Sequence, residues 1–381
     1  MKKITILGST GSIGTQALDV IDQNSESFCV SAISCESNID LLIEQTNRYN
    51  PEAVCLSGAE KSDKLESNIP EGTKVFYGKK GLHKICTEIE CDTVLLAVVG
   101  VAGLLALEEC IKNDVRVALA NKEALVCGGR IIRDLLDKRE AKLYPVDSEL
   151  SAVSQCLNNG FDTDDIRRII LTASGGPFRN WDKKRIENAT ASDALKHPNW
   201  NMGSKITVDS ATMMNKGLEV METRWLFDVR PENIDILIHE KSIVHSMVEY
   251  IDGSVLAQLG VTDMRQPILY ALGYPRRGKA PAGFLDFSKT EISFYPPDRE
   301  KFPCLDLAFS ALHDDGGASA VVLNAANEIA VYRFLNEEFL MGEIPKIVEK
   351  AMNRFANEKI ANTSDIIDID KEVRDFANKI S

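Results

Sequence analysis

Residues 4–14 read Ile4-Thr5-Ile6-Leu7-Gly8-Ser9-Thr10-Gly11-Ser12-Ile13-Gly14. A short apolar run ends at Leu7, three glycines follow at regular spacing, and a helical pattern begins at Ile13. The run predicts a strand, a glycine turn and a helix in direct succession. Glycines let backbone N–H groups approach a pyrophosphate, and the amino end of a helix favours an anion. The spacing G-x-x-G-x-x-G is a variant of the dinucleotide fingerprint. Its place between a strand and a helix makes it specific, because the same glycines elsewhere would mark only a turn.

Working outward, strands are predicted over 4–7, 28–34, 53–56, 74–77, 93–98, 116–118 and 142–145. Helices are predicted between them over 13–23, 39–49, 81–89, 104–113 and 122–139. Such alternation implies a parallel sheet with helices on both faces, an α/β fold with a Rossmann-type amino-terminal part. The middle changes character. Strands over 168–172, 234–239, 246–249 and 255–259 imply a mostly antiparallel sheet in a central α+β part, with Asp252-Gly253 as a turn signal. Residues 273–301 carry Pro275, Pro281, Pro296 and Pro297 and should be extended and irregular. Helical patterns over 306–314, 319–336, 344–357 and 369–379 predict a small carboxy-terminal bundle. The expected division is 1–146 for cofactor binding, 147–273 for catalysis and dimerisation, 274–300 as a linker and 301–381 as a helical domain.

The length of 381 residues fits several domains, since single cores stop growing near about 250–300 residues. Hydrophobic residues at 44% and charged residues at 27% are those of a globular chain, which excludes disorder as the dominant state. A net charge of −13 repels nucleic acid and anionic membrane on average, so neither is an expected partner. An anionic ligand must therefore be met by local groups. The longest apolar run, residues 94–107, is too short to span a bilayer. The start, Met1-Lys2-Lys3, is broken by Gly8 and Gly11 and does not read as a signal peptide. Nine cysteines, an odd number without a C-x-x-C pair, read as free buried thiols in a reducing, cytoplasmic setting.

The end of the second strand reads Ser34-Cys35-Glu36-Ser37-Asn38. An acid at this place favours a free ribose 2′-OH, hence NAD, and Glu36 leans that way unless it is a solvated surface charge. Asp147 and Glu149 follow a predicted strand; two apart on an extended segment, they would point the same way. With a further acid downstream they would suit a hard divalent ion such as Mg²⁺ or Mn²⁺, although solvated or capping acids explain the spacing as well. Asp209 reads better as structural, an N-cap of the helix that carries 213–226. Ser174-Gly175-Gly176-Pro177 can form an anion-holding nest, and Ser210, Asn215 and Lys216 gather near a helix start. His197-Pro198-Asn199-Trp200-Asn201-Met202-Gly203 has the composition of a lid.

Seven segments together resemble the 1-deoxy-D-xylulose 5-phosphate reductoisomerase family. They are 8–14, Ala120-Asn121-Lys122-Glu123, 145–149, 174–178 with 197–203, 208–219, and Leu323-Asn324-Ala325-Ala326-Asn327-Glu328. Their order spans essentially the whole chain. The resemblance implies an NADPH-binding Rossmann domain, a catalytic domain that dimerises, and a helical domain. It implies conversion of 1-deoxy-D-xylulose 5-phosphate to 2-C-methyl-D-erythritol 4-phosphate, the committed step of the non-mevalonate isoprenoid route. A C–C bond would be cleaved and remade, and the branched aldehyde reduced by hydride.

The same resemblance assigns Thr10, Gly11, Ser12 and Ile13 to the cofactor pyrophosphate, while Ser37 and Asn38 of this chain can hydrogen-bond a 2′-phosphate. Asn121, Glu123 and Gly203 would meet the rest of the cofactor. Asp147, Glu149 and Glu219 would ligate Mg²⁺ or Mn²⁺, and with Lys122 form the catalytic set. Lys122, Ser148 and Glu149 would meet the reacting part of the substrate. Ser174, His197, Ser210, Asn215 and Lys216 would surround its phosphate, with Trp200 as cover. Much of the family carries Gly and a basic residue where this chain has Glu36 and Ser37. Two rivals stay open: another metal-dependent sugar-phosphate oxidoreductase, and a nucleotide-sensing Rossmann protein without catalysis.

Overall fold

In the computed structural model the glycine stretch leaves strand β1 (Lys2–Leu7) and enters helix α1 (Ser12–Gln23). Gly8 sits at φ +91°, and a side chain there would meet the Ala97 carbonyl oxygen at 2.6 Å. The turn therefore needs glycine both for its backbone conformation and for its closeness to the neighbouring strand. Residues 1–157, 162–196, 200, 202–314 and 317–380 are described.

The chain divides into two compact units. The first comprises Met1–Ala124, Ile132–Ser151 and Asp263–Phe284. After β1 and α1 it continues through β2 (Phe28–Cys35), α2 (Ile39–Tyr49), β3 (Ala53–Leu56), the single turn α3 (Asp63–Glu66), β4 (Lys74–Tyr77), α4 (Gly78–Glu88), β5 (Thr93–Leu96), α5 (Ala102–Lys112) and β6 (Val117–Leu119). Then follow α6 (Lys122–Leu136), which is kinked at Gly129, β7 (Leu143–Pro145) and the start of α7 (Ser148–Cys156). The strands form one seven-stranded parallel sheet in the order β4-β3-β2-β1-β5-β6-β7. Strands β3, β5 and β6 are buried throughout, as apolar runs covered on both faces should be. The order reverses direction between β1 and β5, and Gly8 and Ala97 follow those two strands. A crevice beyond the carboxyl ends at such a switch point is where open α/β sheets bind ligands.

The sequence between the central sheet and the proline-rich stretch forms α12 (Arg265–Gly273), which packs on α1 within the first unit. Lys2 Nζ donates to the carbonyls of Leu272, Gly273 and Tyr274, and Arg116 donates to Ala271 and Tyr274. Two cations thus satisfy the open carbonyls at the end of α12.

The second unit comprises Leu125–Ile131, Ala152–Thr262 and Leu285–Ser381. It contains β8 (Ile166–Ala173), the short helices α8 (Lys183–Glu187) and α9 (Ala191–Ala194), then α10 (Ser204–Ala211), α11 (Met214–Phe227), β9 (Ile234–Ile238), β10 (Val244–Tyr250) and β11 (Val255–Leu259). Four longer helices close it: α13 (Pro303–Leu312), α14 (Ser319–Leu335), α15 (Glu343–Arg354) and α16 (Thr363–Ala377). The sheet order is β11-β10-β8-β9, antiparallel on both sides of β10 and parallel between β8 and β9. The proline-rich stretch is irregular, apart from one short 3₁₀ turn at Phe287–Lys289 and a bridge from Tyr295 to Ile238. No helix among the described residues is long and apolar enough to cross a membrane.

Two local expectations are corrected. Asp147 and Glu149 do not lie on an extended segment. Pro145 ends β7, the Asp147 carbonyl accepts from the Ser151 N–H at 2.8 Å, and Glu149 stands in the first turn of α7. Acids in a first turn are favoured by the helix dipole, so helix prevailed over strand alternation. Asp209 is not an N-cap: residues 204–211 form a helix of their own, and Met213, at φ +60°, occupies the cap position of α11. Asp209 is nevertheless buried, as a structural role requires.

Candidate active site

In the first unit, α1 begins at Ser12 with Gly11 as its cap, and no side chain caps it. Its first N–H groups therefore lack the side-chain acceptor that Asn38 supplies to α2 and Asn121 to α6. An uncapped amino end of a twelve-residue helix behind a glycine turn fits a pyrophosphate. The loop itself is pinned by a reciprocal pair that the sequence did not signal. Ser9 Oγ donates to Gln45 Oε1 at 2.6 Å, and Gln45 Nε2 donates to the Ser9 carbonyl at 3.0 Å. Thr10 and Ile13 are half-buried, and Gly11 and Ser12 are exposed. Glu36, Ser37 and Asn38 are exposed at the end of β2, where Asn38 Oδ1 also accepts from the Leu41 N–H at 3.2 Å.

Asn121 is buried, and both ends of its amide are used. Its Oδ1 accepts from the Ala124 N–H at 2.7 Å, and its Nδ2 donates to the carbonyls of Val98 at 2.5 Å and Gly100 at 2.9 Å. It thereby ties the loop after β5 to the first turn of α6, where Lys122 and Glu123 follow. Buried Lys122 pairs through Nζ with the Asp147 carboxylate. Burial pushes the Asp147 carboxyl above the usual carboxylate range, and Lys122 pulls the other way. Ser148 Oγ donates to Glu149 Oε2 at 2.6 Å. The amino end of α7 thus carries Asp147, held on buried Lys122, followed by the bonded pair Ser148 and Glu149.

In the second unit, the loop Ser174–Gly175–Gly176 has two successive glycines at φ +79° and +65°. A side chain on Gly176 would meet the Ser210 carbonyl oxygen at 2.7 Å, so this loop lies directly on the last turn of α10. The Gly176 N–H donates to Ser174 Oγ at 3.2 Å. The chain turns at Met213 into α11, whose first turn carries Asn215 and Lys216. Glu219, one turn on, is fully buried; Asn215 Nδ2 donates to its Oε1 at 2.5 Å, and buried Lys216 pairs with its Oε2. Ser174, Ser210, Asn215 and Lys216 are thus brought to one region of the second unit.

Trp200 is half-buried, with its ring 6.5 Å from that of His245. His245 is buried, and desolvation lowers its pKa to about 4, so it stays neutral. Gly203 is the exposed cap of α10, with open space where a side chain would stand. His197 lies outside the described residues. All nine cysteines are free thiols.

A parallel sheet with a glycine loop at its switch point, joined in the chain to lysine–carboxylate pairs, defines an α/β enzyme of the dinucleotide-binding class. Family models named 1-deoxy-D-xylulose 5-phosphate reductoisomerase match residues 4–129, its C-terminal domain 143–227, and DXP reductoisomerase C-terminal domain 259–376. The chain belongs to the 1-deoxy-D-xylulose 5-phosphate reductoisomerase family. It is 48% identical over 377 residues to the enzyme of that name from Thermoanaerobacter pseudethanolicus, covering 98% of both chains. It is 49% identical over 378 residues to that of Chloroherpeton thalassium, covering 99% of this chain and 97% of the relative.

Among solved structures, the Zymomonas mobilis reductoisomerase in complex with NADPH superposes with a TM-score of 0.91 at 39% identity, covering 99% of this chain and 98% of that one. A DOX-P reductoisomerase in complex with NADPH, fosmidomycin and magnesium gives 0.93 at 38% identity, covering 99% and 97%.

Proposed function

We propose that this protein converts 1-deoxy-D-xylulose 5-phosphate to 2-C-methyl-D-erythritol 4-phosphate with NADPH and a divalent metal, as the committed step of the non-mevalonate isoprenoid route. The observation that carries the reading is the buried Lys216–Glu219 pair on α11, bonded to half-buried Asn215. Burying a lysine and a glutamate is costly and adds little stability over an apolar pair. A nucleotide sensor has no need of it, whereas a catalyst acting on a phosphorylated substrate does. NADPH and magnesium are bound by solved relatives, and the groups of this chain fit both.

For the cofactor, the uncapped end of α1 offers N–H groups to the pyrophosphate through Thr10, Gly11, Ser12 and Ile13. In this reading Ser37 and Asn38, exposed at the end of β2, hydrogen-bond a 2′-phosphate, and Asn121, Glu123 and Gly203 meet the remainder. For the metal, Asp147, Glu149 and Glu219 supply hard carboxylate oxygens, the donor type of Mg²⁺ and Mn²⁺. When bound, the ion supplies Lewis acidity at a substrate carbonyl, and NADPH supplies the hydride.

The chain's own groups do the rest. Lys122, held on Asp147, presents positive charge to an oxyanion developing beside it. Ser148 Oγ orients Glu149. Ser174, Ser210, Asn215 and Lys216, joined by His197, hold the phosphate, and Trp200 covers the substrate. Phosphate binding energy then fixes the geometry and excludes water. In this reading 1–146 binds the cofactor, 147–273 carries catalysis and dimerisation, 274–300 links, and 301–381 supports.

A homodimer is supported by strand β11, the edge of its sheet among the described residues, with Val255 and Leu256 exposed. A cytoplasmic location is supported by the nine free thiols. The test is a pair of substrate titrations, one of wild type and one of Lys216→Ala. A raised KM for 1-deoxy-D-xylulose 5-phosphate in the variant supports the reading; an unchanged KM contradicts it.

A further inference from the structure

Two fully buried asparagines, Asn324 and Asn327, stand three apart on α14, inside the motif Leu323–Glu328 that the proposed mechanism leaves unused. Asn327 Nδ2 donates to Asp209 Oδ1 at 2.8 Å, and the same aspartate pairs with Lys205 Nζ at 2.9 Å. Asn327 Oδ1 has no partner among the described residues, so the bond to Asp209 is the polar tie that orients this amide. A buried amide half-satisfied in this way is costly relative to an apolar residue of similar size. That cost needs a return in position rather than in stability.

Asp209 sits where position matters. It precedes Ser210, on which the Gly176 loop rests. Thr212 Oγ1 donates to the Asp209 carbonyl at 3.2 Å and accepts from the Met214 N–H at 3.2 Å. Met213 takes a left-handed conformation between them, and Asn215 and Lys216 follow within one turn. A non-glycine residue held left-handed persists only where its surroundings over-determine it. The Asp209 carboxylate, anchored on α14 by Asn327, supplies that restraint from the carboxy-terminal helices.

We propose that Asn327 is a positioning residue. Through Asp209 it sets the end of α10 and the break into α11, and so the placement of Ser210, Asn215 and Lys216 around the substrate phosphate. The inference rests on the phosphate reading of those three residues.

Asn327→Asp keeps the shape and removes the donor, leaving two facing carboxylates. It should raise KM for 1-deoxy-D-xylulose 5-phosphate by about tenfold, the value of one lost charge-assisted bond, with the NADPH Kd unchanged. The rise should shrink as pH falls, because a protonated carboxyl donates again. The reciprocal variant Asp209→Asn/Asn327→Asp restores an amide–carboxylate bond and should recover most of the loss. Asn327→Leu, read alongside, should raise KM without recovery at low pH. An unchanged KM in Asn327→Asp overturns the proposal. So does a rise that tracks NADPH Kd and Tm together and is not recovered by the reciprocal variant. Asn215→Ala separates the two layers: if its KM is unchanged, the phosphate reading itself fails and the positioning role with it.

Discussion

Replacing Glu219 by Gln keeps the volume and removes one charge at a site with no exposure. Glu219 accepts from Asn215 and pairs with Lys216, a residue only 4% exposed. The variant leaves the Lys216 ammonium facing a neutral amide. Breaking a buried ion pair on one side costs about 3–5 kcal/mol. In the proposed mechanism the same carboxylate is also a metal ligand, so the loss should fall on turnover as well as on folding. A deficit of about 3–4 kcal/mol in the transition state is a fall in kcat/KM of about 10²–10³-fold. The assay is steady-state NADPH oxidation over a Mg²⁺ titration, with NADPH Kd from nucleotide fluorescence. Turnover should collapse, more Mg²⁺ should restore part of it, and NADPH Kd should stay near wild type. Wild-type turnover, or an equal loss of turnover and NADPH affinity, would refute the ligand role and leave Glu219 structural.

Asn121→Ala removes the α6 cap and the two bonds to the Val98 and Gly100 carbonyls; chemical denaturation should show a loss of about 2 kcal/mol, and no loss would mean the tie is idle. His245 is held neutral by burial, with its pKa at about 4. Its unfolded form takes up a proton below about pH 6.5, so it favours unfolding as pH falls from there to about 4. Thermal melts of His245→Gln should show a flatter pH dependence in that window, and an unaltered profile would contradict it. With Ser37 and Asn38 exposed at the end of β2, kcat/KM should favour NADPH over NADH despite Glu36; a ratio favouring NADH would reassign the pocket.

The parallel half was legible because its signals are local. The glycine turn fixes where β1 ends, and buried apolar runs such as Val94–Leu96 cannot sit anywhere but inside a sheet covered on both faces. The α10–α11 break was not legible. Asp209 looked like a cap because Asp before a helical pattern usually is one, but no residue pattern marks Met213 as the left-handed residue, and the partner of Asp209 on α14 lies far along the chain. The same holds for Asp147 and Glu149. Their spacing suited a strand or a helix start, and Pro145 together with the helix dipole decided it. Pairings such as Ser9 with Gln45 and Asp209 with Asn327 join residues far apart in the chain, and no spacing rule reaches them. The cap at Asn121 could have been read, since Asn before Lys-Glu-Ala is an ordinary helix-start signal.

The proposed reaction depends on a metal, a nicotinamide cofactor and a sugar phosphate together. Mixing the purified protein with NADPH and 1-deoxy-D-xylulose 5-phosphate, with and without Mg²⁺, and following NADPH absorbance tests that dependence in one experiment. Oxidation that requires both substrate and metal, with 2-C-methyl-D-erythritol 4-phosphate as product, is the predicted result. No oxidation in the presence of Mg²⁺ or Mn²⁺, or oxidation indifferent to chelation of the metal, would contradict it.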